Sequence, residues 1–346
     1  MDRRTFLGAM AGTLAHPLVL AQAAPPASLA QLYEKARGEG EVTWYIAYYR
    51  SEVAERVGAA FSKRYPGIKV NVVRATGQVI FQRLGQDLRA GARNCDVFSG
   101  TDTSHYEYLK EKRIFAPYRP VTLDELLPVV REAADPEHYY TATDTNMTLL
   151  VHNTQSVTGD DIPKRWTDLA DPKWKRQLAL PHPGYSGAMG SWLVTMDRLY
   201  GWQFIEKLAA NEPLIGRSLS EGPVVIGRGE RKVGIGPAAT IWGLGGRGVP
   251  VAAIAPQDGA RLSYSASGVI ANAAHPNAAR LLMEFLISKD CGDIVSEQYA
   301  IPIRADVEPR PGVLRAGSVP GFVADPREVA DKLPGLVEKW RDLFGV

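Results

Sequence analysis

The sequence predicts an α/β protein of two lobes, and three observations carry this prediction. Short β-rich apolar segments alternate with helical segments in the first third of the chain. The chain has 346 residues, and removing a predicted leader of 23 leaves 323, which suits two lobes better than one small core. Polar, glycine-containing loops also recur where strands end and helices begin. Together they predict a sheet with helices on both faces and a ligand site at strand ends.

The N-terminus has the form of an export signal. Arg3-Arg4 followed by Thr5-Phe6-Leu7 resembles a twin-arginine address, and Ala21-Gln22-Ala23 offers small residues where a signal peptidase cuts. We therefore expect residues 1–23 to be removed near Ala23 after passage through the twin-arginine machinery. The mature chain would act outside the bacterial cytoplasm. The alternative is a cytoplasmic N-terminus with a chance arginine pair.

The first third of the mature chain reads as a βαβαβ unit. The predicted strands are 42–47, 68–73 and 96–99, and the predicted helices follow Ser51 and cover 78–90 and 104–110. In the first helix Ser51 is the expected cap, and Val53, Val57 and Phe61 form an apolar stripe. Such a unit predicts a parallel sheet.

The rest of the chain is less regular. Residues 111–140 read as a connection, and Pro276 opens a helix with an apolar stripe. The other predicted elements are strands at 148–151, 177–180, 249–254 and 268–271, a helix after the loop 184–187, and a helix at about 328–343.

Charge and cysteine content exclude several classes of protein. The 40 Lys and Arg against 38 Asp and Glu give +2, and removing two Arg and one Asp with the leader leaves about +1. The sequence contains no block of basic residues that would indicate nucleic-acid binding. It also contains no second apolar run that approaches membrane-spanning length. Cys95 and Cys291 either pair in an oxidising compartment or remain two buried thiols, and the sequence does not choose between these.

No catalytic, cofactor or metal motif is present. The six histidines lack HExxH spacing, no Gly-x-Ser-x-Gly elbow occurs, and Gly243–Gly248 lacks the pattern of a nucleotide loop and reads as a turn. We therefore predict a protein that is not an enzyme and needs no cofactor or metal. An exported enzyme remains the alternative from another class, with Asp102, Asp144 or His182 as its acid–base groups.

Hydrogen-bond donors are concentrated at strand ends and helix starts. The residues concerned are Tyr48, Tyr49, Arg50 and Ser51, then Thr76 and Gly77, then Ser99, Gly100 and Thr101, and later Tyr185, Ser186 and Gly187 with Arg217, Ser218 and Ser220. Helix N-termini present free N–H groups, so converging loops of this kind bind anions, and Arg50 or Arg217 would add a bidentate contact. The alternative is that these residues only cap helices and form turns.

The chain resembles the periplasmic solute-binding proteins of ABC importers, in the type 1 extracellular branch that contains the ferric-ion-binding proteins. The segments that carry this resemblance are Asp96-Val97-Phe98, Leu150 to Thr154, Trp166 to Leu169 with Asp171 to Lys175, Pro183 to Ala188, Gly229-Glu230, Val249 to Gly259, and His275 to Ala279. These segments occur in the order and spacing of the family, and the similarity covers nearly the whole mature chain.

The resemblance implies a type II periplasmic-binding-protein fold, with hinge strands between two lobes and a ligand cleft between them. Lobe 1 would be 28–140 plus about 264–305, lobe 2 about 141–263, and 306–346 a helical segment packed on both. The first-lobe loops would line the cleft. Ser186, Gly187 and Ala188 match the family's anion-holding helix start, and Arg217, Ser218 and Ser220 match a second-lobe loop facing the ligand.

The chain departs from the iron binders at their tyrosine pair. The matching positions hold Ala238-Ala239, and no tyrosine occurs between Tyr200 and Tyr264. Tyr48-Tyr49 is a pair on the other side of the cleft, with a stacking or hydrogen-bonding role favoured over a metal contact. Ala239 and Trp242 are further candidate ligand contacts, and Trp242 is either a wall of the site or core.

These inferences predict a monomeric periplasmic binding component of an ABC importer. Its ligand would be a small organic anion (a carboxylate, phosphonate or phosphate ester) that is delivered to an inner-membrane permease. The nearest alternative is a ferric or ferric-chelate binder of the same fold. A sensor subunit is a further alternative. The sequence does not identify the ligand, and it does not distinguish a transport role from a sensing role.

Overall fold

The computed structural model describes residues 28–346, so the predicted leader at 1–23 lies outside the described part. One mixed sheet has the strand order β2-β1-β3-β10-β5-β8-β6-β7, with β4 and β11 paired to β10 and β9 paired to β5. The strands are β1 Glu41–Ile46, β2 Lys69–Arg74, β3 Val97–Ser99, β4 Phe115–Ala116, β5 Thr141–Asn153, β6 Leu178–Pro181, β7 Leu214–Gly216, β8 Val233–Pro237, β9 Val251–Ile254, β10 Ala260–Ile270 and β11 Gly321–Phe322.

Helices cover both faces of this sheet. They are α1 Leu29–Arg37, α2 Ser51–Arg64, α3 Gly77–Arg89, α4 Thr103–Glu111, α5 Pro128–Arg131, α6 Gly187–Tyr200, α7 Trp202–Ala210, α8 Glu221–Gly227, α9 Ala238–Gly245, α10 Pro276–Leu286, α11 Lys289–Ser296 and α12 Pro326–Phe344. Within residues 28–346, none of them is both long and apolar enough to cross a membrane.

The N-terminal βαβαβ unit has the predicted form. Strand β1 pairs in parallel with both β2 and β3. Val53, Val57 and Phe61 are buried along α2, as their spacing predicts. The predicted cap at Ser51 is wrong, because Ser51 is itself the first helical residue and Arg50 occupies the cap position without a side-chain hydrogen bond.

Two long antiparallel strands join the two parallel parts of the sheet. Strand β10 pairs with β3 on one side and β5 on the other, and β5 continues to β8. A bulge interrupts the β5–β10 pairing between Ser265 and Ala266, where β5 has the extra residue Thr143. The sequence predicted only the apolar ends of these strands, 148–151 and 268–271, because their centres alternate polar and apolar residues.

The cores form on either side of this junction. Val42, Phe61 and Leu282 lie in a cluster under α1, α2 and α10, and Phe98 lies in another beneath α3 and α4. Beyond the junction, Trp192 and Trp340 share a cluster, so α12 packs on α6. A fourth cluster joins Leu149 and Ile226 to segments 123–130 and 301–303, which lie within the predicted first lobe. The exact lobe boundaries therefore stay a prediction.

The segment read as a turn at Gly243–Gly248 is partly helical. Residues Ala238–Gly245 form α9, and only Gly248 has the positive φ of +82° that favours glycine in a turn. The helix was missed because it carries almost no polar residues that could mark a 3.6-residue period. The sequence analysis also did not name α7, β7 and α8.

Both cysteines are free and buried, and they lie in different core clusters. Cys95 packs with Phe98 on one face of the sheet, whereas Cys291 packs with Phe285 on the other. The structure therefore has two buried thiols, the second of the two possibilities that the sequence left open.

Candidate ligand-binding site

The joining strands carry a continuous polar face. Strand β10 alternates strictly, with Leu262, Tyr264 and Ala266 on one side and polar residues on the other. The register places residues of β5 beside that polar side, for example Asp144 opposite Ser265 and Thr148 opposite Arg261. We call this face the cleft floor, and it comprises Asp144, Asn146, Thr148, Arg261, Ser263, Ser265 and Ser267. Sequence reasoning named only Asp144, although the alternation of β10 was a usable signal.

At the end towards β1, the cleft floor meets a cluster of hydroxyl groups. The Tyr48 hydroxyl lies 2.8 Å from Thr143 Oγ1 and 3.3 Å from Ser267 Oγ. Ser267 Oγ is 2.5 Å from Ser99 Oγ, which accepts a 2.7 Å bond from Trp44 Nε1. Four hydroxyls are thus fixed by one another at the carboxyl ends of β1 and β3.

The vicinal tyrosines belong to this cluster as neutral phenols. Burial raises the pKa of Tyr48 and, with the nearby Asp144 carboxyl, that of Tyr49. Their rings meet edge to face at 4.5 Å, and Tyr49 packs against Trp44 in the same manner. These contacts support the stacking and hydrogen-bonding role over that of a phenolate metal ligand.

Some of the remaining candidate residues in the first lobe are available to a ligand, and others are already hydrogen-bonded within the protein. A Cβ on Gly77 would lie 3.3 Å from Thr101 Oγ1, so the loops after β2 and β3 are adjacent. Thr76 is exposed and its hydroxyl caps nothing. By contrast, the Gly100 N–H donates to the Ala266 carbonyl at 3.1 Å. It is not free for a ligand in this conformation.

Arg50 and Ser51 lie at the start of α2, and both are exposed. The Arg50 guanidinium donates to Gln298 Oε1 at 3.2 Å. Arg50 can therefore reach a ligand only by giving up this exposed bond.

In the second lobe, the start of α6 is an open helix N-terminus. The Ser186 hydroxyl accepts the Met189 N–H at 3.3 Å, which confirms its capping role. The N–H groups of Gly187 and Ala188 have no acceptor within residues 28–346, and the space beside Gly187 is empty. Tyr185 next to them is 65% exposed and packs on the ring of His182 at 4.7 Å.

Arg261 of the cleft floor reaches α6 one turn after its start. Its Nη2 donates to Ser191 Oγ at 3.3 Å, and Ser191 Oγ in turn donates to the Gly187 carbonyl at 2.6 Å. Arg261 is only 7% exposed, its Nε has no partner, and no carboxylate of residues 28–346 pairs with it. Burial lowers its pKa to about 10. The structure therefore holds a buried cation without a protein counter-charge.

Three other buried ionic side chains, those of Arg304, Asp96 and Glu284, each have several polar partners. Arg304 has ion pairs to Glu125 and Asp306. The carboxylate of Asp96 accepts from Thr43 and His275, and that of Glu284 accepts four bonds from the segment 118–122. Within residues 28–346, Arg261 is therefore the one buried arginine without an anionic partner.

Asp144 is the acidic counterpart on the same floor. It is half-buried, and its carboxylate has no side-chain partner among the described residues. Burial raises its pKa to about 7, and the backbone N–H of Thr145 opposes this shift.

The second-lobe loop before α8 lies beside α9. Ser220 Oγ is 3.4 Å from Thr240 Oγ1, while Ser218 Oγ accepts the Ser220 N–H at 3.3 Å. Arg217 is exposed, and its backbone N–H donates to the Glu221 carboxylate at 2.9 Å, whereas its guanidinium has no partner within residues 28–346. Ala239 and Trp242 of α9 are half-buried, and Trp242 packs against the cluster containing Ile241.

The described residues give little support to a metal site or to a catalytic site. No group of three or more His, Cys, Asp and Glu side chains within residues 28–346 is placed to hold a metal ion. Asp102 caps α4 by accepting from Ser104, and His182 Nδ1 accepts the Gly184 N–H at 3.0 Å. Asp102, Asp144 and His182 make no hydrogen bond to one another, so these three residues do not form an acid–base pair among themselves.

Two α/β halves, long antiparallel hinge strands and a polar floor between open helix termini define the class of two-lobed ligand-binding proteins. The comparison of sequences then gives the family. Residues 93–315 match the profile of the bacterial extracellular solute-binding proteins, and the chain belongs to this family. Proteins of this family bind small ligands and work with ABC permeases.

Solved structures show the same fold. Iron-bound HitA from Pseudomonas aeruginosa aligns with a TM-score of 0.72 at 17% identity over 87% of this chain and 99% of that one. AfuA from Actinobacillus pleuropneumoniae, with fructose-6-phosphate bound, aligns with a TM-score of 0.72 at 20% identity over 89% and 99%. An uncharacterized protein of Haemophilus influenzae is 22% identical over 254 residues, covering 71% of this chain and 72% of its own. HitA and AfuA hold different ligands, so the likeness fixes the fold and leaves the ligand open.

Proposed function

We propose that this protein is the periplasmic receptor of an ABC importer for a small organic anion, namely a carboxylate, phosphonate or phosphate ester. The predicted twin-arginine leader would bring it to the periplasm, and it would act there as a monomer without catalysis. Binding would close the two lobes over the cleft floor, and the closed form would dock on the inner-membrane permease.

The observation that carries the proposal is the unpaired guanidinium of Arg261. A buried charge without a partner costs several kcal/mol, and a bound anion would remove most of this penalty. The free N–H groups at the start of α6 lie one turn from Ser191, which Arg261 contacts. A cation and a helix N-terminus side by side suit a carboxylate or phosphorus oxyanion.

The other candidate residues would complete the site on closure. Tyr48, Thr76 and Thr101 supply hydroxyls from the first lobe, and Ser218, Ser220 and Arg217 supply donors from the second. Hydroxyl donors of this kind suit the oxygen atoms of an organic ligand. The half-buried ring of Trp242 would form an apolar wall.

A ferric ligand is the competing candidate, and one comparison favours it, since HitA of the same fold is iron-bound. The alanines at 238 and 239, at the start of α9, argue against it. Hard ferric ions require anionic oxygen donors. The buried phenols of Tyr48 and Tyr49, whose pKa values are raised, are poor substitutes.

The test is a ligand screen on the purified mature protein. Thermal-shift assays with carboxylates, phosphonates, phosphate esters and ferric citrate should show stabilisation by one organic class, by about 2.7 kcal/mol at a hundredfold excess over the dissociation constant. Titration calorimetry would then compare Arg261→Met with Arg228→Met, whose guanidinium is exposed at the end of α8. Arg261→Met should weaken binding by about 1.5–3 kcal/mol, and Arg228→Met should leave it unchanged. Stabilisation by ferric ion alone would overturn the proposal.

A further inference from the structure

We infer that the ligand is a zwitterion, with its anionic group on Arg261 and the α6 N-terminus and a protonated amine on Asp144. This inference rests on the proposed function and narrows its substrate class. It follows from the position of the two unpaired charges, which lie on one face of the same pair of strands and have opposite sign.

The two residues share a face by register. Arg261 lies opposite Thr148, and Asp144 lies opposite Ser265. Residues 261 and 265, like 144 and 148, are four apart and therefore project from the same side of their strands. Four residues of strand separate the two charged positions by about 13 Å at the backbone. An ω-amino acid or amino phosphonate of matching length can bridge this separation.

Asp144 and Arg261 do not neutralise each other's charge. No ion pair joins them, and no other described cation approaches the Asp144 carboxylate. Three titratable groups interact electrostatically with the Asp144 carboxylate. They are Tyr48 and Tyr49 at the end of β1 and Cys291 of α11. All three are neutral near neutral pH because burial raises their pKa values. Asp144 is therefore the one source of negative charge in this group.

The floor between the charges is polar and partly unused. The side-chain amide of Asn146 has no hydrogen-bond partner among the described residues, and neither has the Ser265 hydroxyl. Beyond Asp144 lie the hydroxyls of Tyr48 and Thr143. An ammonium group on Asp144 would find oxygen acceptors in these hydroxyls for its remaining protons. A purely anionic ligand would instead meet a carboxylate there and be repelled at any pH where Asp144 is ionised.

The position of Asp144 also predicts how binding depends on pH. The carboxyl titrates with a pKa of about 7, so its negative charge appears as the pH rises through neutrality. An amine-bearing ligand should bind more tightly above this pKa, whereas the same anion without an amine should bind less tightly. The two ligand types should thus diverge in affinity as the pH increases.

The experiment compares matched probes by calorimetry on the mature protein. The probes are ω-aminoalkyl carboxylates and phosphonates of increasing chain length, together with alkyl analogues of equal length, at about pH 6 and about pH 8, on either side of that pKa. The amine should improve affinity roughly ten- to hundredfold at the higher pH and less at the lower one. Asp144→Asn should abolish this preference, whereas Glu55→Gln, an equal charge change on the exposed face of α2, should preserve it.

The outcomes separate this inference from the proposed function. Equal affinity for both members of every pair, with Asp144→Asn unchanged, would overturn the zwitterion and leave an organic-anion receptor. If no carboxylate, phosphonate or phosphate ester binds, or if Arg261→Met leaves the affinity for every ligand that does bind unchanged, both fail. Should Asp144→Asn not fold, the opposite pH trends of the matched probes on the wild-type protein decide the question.

Discussion

The guanidinium of Arg261 donates a 3.3 Å hydrogen bond to the hydroxyl of Ser191, and this bond links hinge strand β10 to the first turns of α6. It is the only hydrogen bond of this guanidinium within residues 28–346. One neutral hydroxyl does not compensate for the burial of a full charge. The ligand-free protein therefore carries a local destabilisation that ligand binding would relieve.

The first prediction concerns the stability of the ligand-free protein. Arg261→Met removes the buried charge and keeps most of the side-chain volume, so the free energy of unfolding should stay equal or rise by about 1–4 kcal/mol. Urea denaturation without ligand measures this change. Arg304→Met is the contrasting variant, because Arg304 is equally buried but pairs with Glu125 and Asp306. It should lose about 3–5 kcal/mol. A comparable loss in Arg261→Met would show that Arg261 is structural.

The second prediction concerns the helix start that would hold the anion. Ser186 caps α6 through its hydroxyl, so Ser186→Ala should lower the free energy of unfolding by about 1 kcal/mol. Ser51→Ala at the start of α2 is the matched control, since Ser51 is exposed and caps nothing, and it should be near neutral. Chemical denaturation of both variants checks this. Equal losses would mean that Ser186 contributes no cap.

The third prediction follows from the raised pKa of Asp144. The folded carboxyl has a pKa of about 7, whereas an unfolded Asp has one of about 3.9, so between these values the folded state binds more protons. The contribution of Asp144 to stability is therefore fully present below about pH 4 and is lost as the pH rises through 7. Asp144→Asn should remove this loss, so the ligand-free variant should exceed the wild type in melting temperature at about pH 8 but not at about pH 4. Parallel melting curves across that range would contradict the assignment.

The fourth prediction concerns iron. Addition of ferric citrate to the mature protein should produce no visible tyrosinate charge-transfer band, because Ala238 and Ala239 stand at the predicted tyrosine positions and the Tyr48 phenol is hydrogen-bonded to Thr143. An absorption titration checks this, with Tyr48→Phe as the comparison. A coloured complex that Tyr48→Phe abolishes would restore the ferric alternative.

The sequence predicted best those elements in which buried residues recur at one regular spacing along the chain. The stripe of Val53, Val57 and Phe61 fixed α2, and the strand-helix alternation before residue 111 fixed the parallel sheet. The hinge strands were cut short because their polar centres interrupt an apolar run. The all-apolar α9 was missed for the opposite reason, since without a polar face it shows no helical period.

The candidate site shows the same division. Ser186 and the start of α6 were identified from local chemistry, because a small polar residue before a helix has a local meaning. Arg261 was not identified, because an arginine in a strand is normally exposed or paired. Only the folded chain shows that this one is neither.

The sequence by itself determined the α/β class, the family resemblance, the missing tyrosine pair and the polar loops at strand ends. Each of these depends on residue type and short spacing. The tertiary structure decided which polar residues share one floor, since the pairing of β5 with β10 brings together positions more than a hundred residues apart in sequence. It also decided that Asp144 and Arg261 have no ion-pair partner within residues 28–346, because a charge is paired or unpaired only relative to everything packed around it.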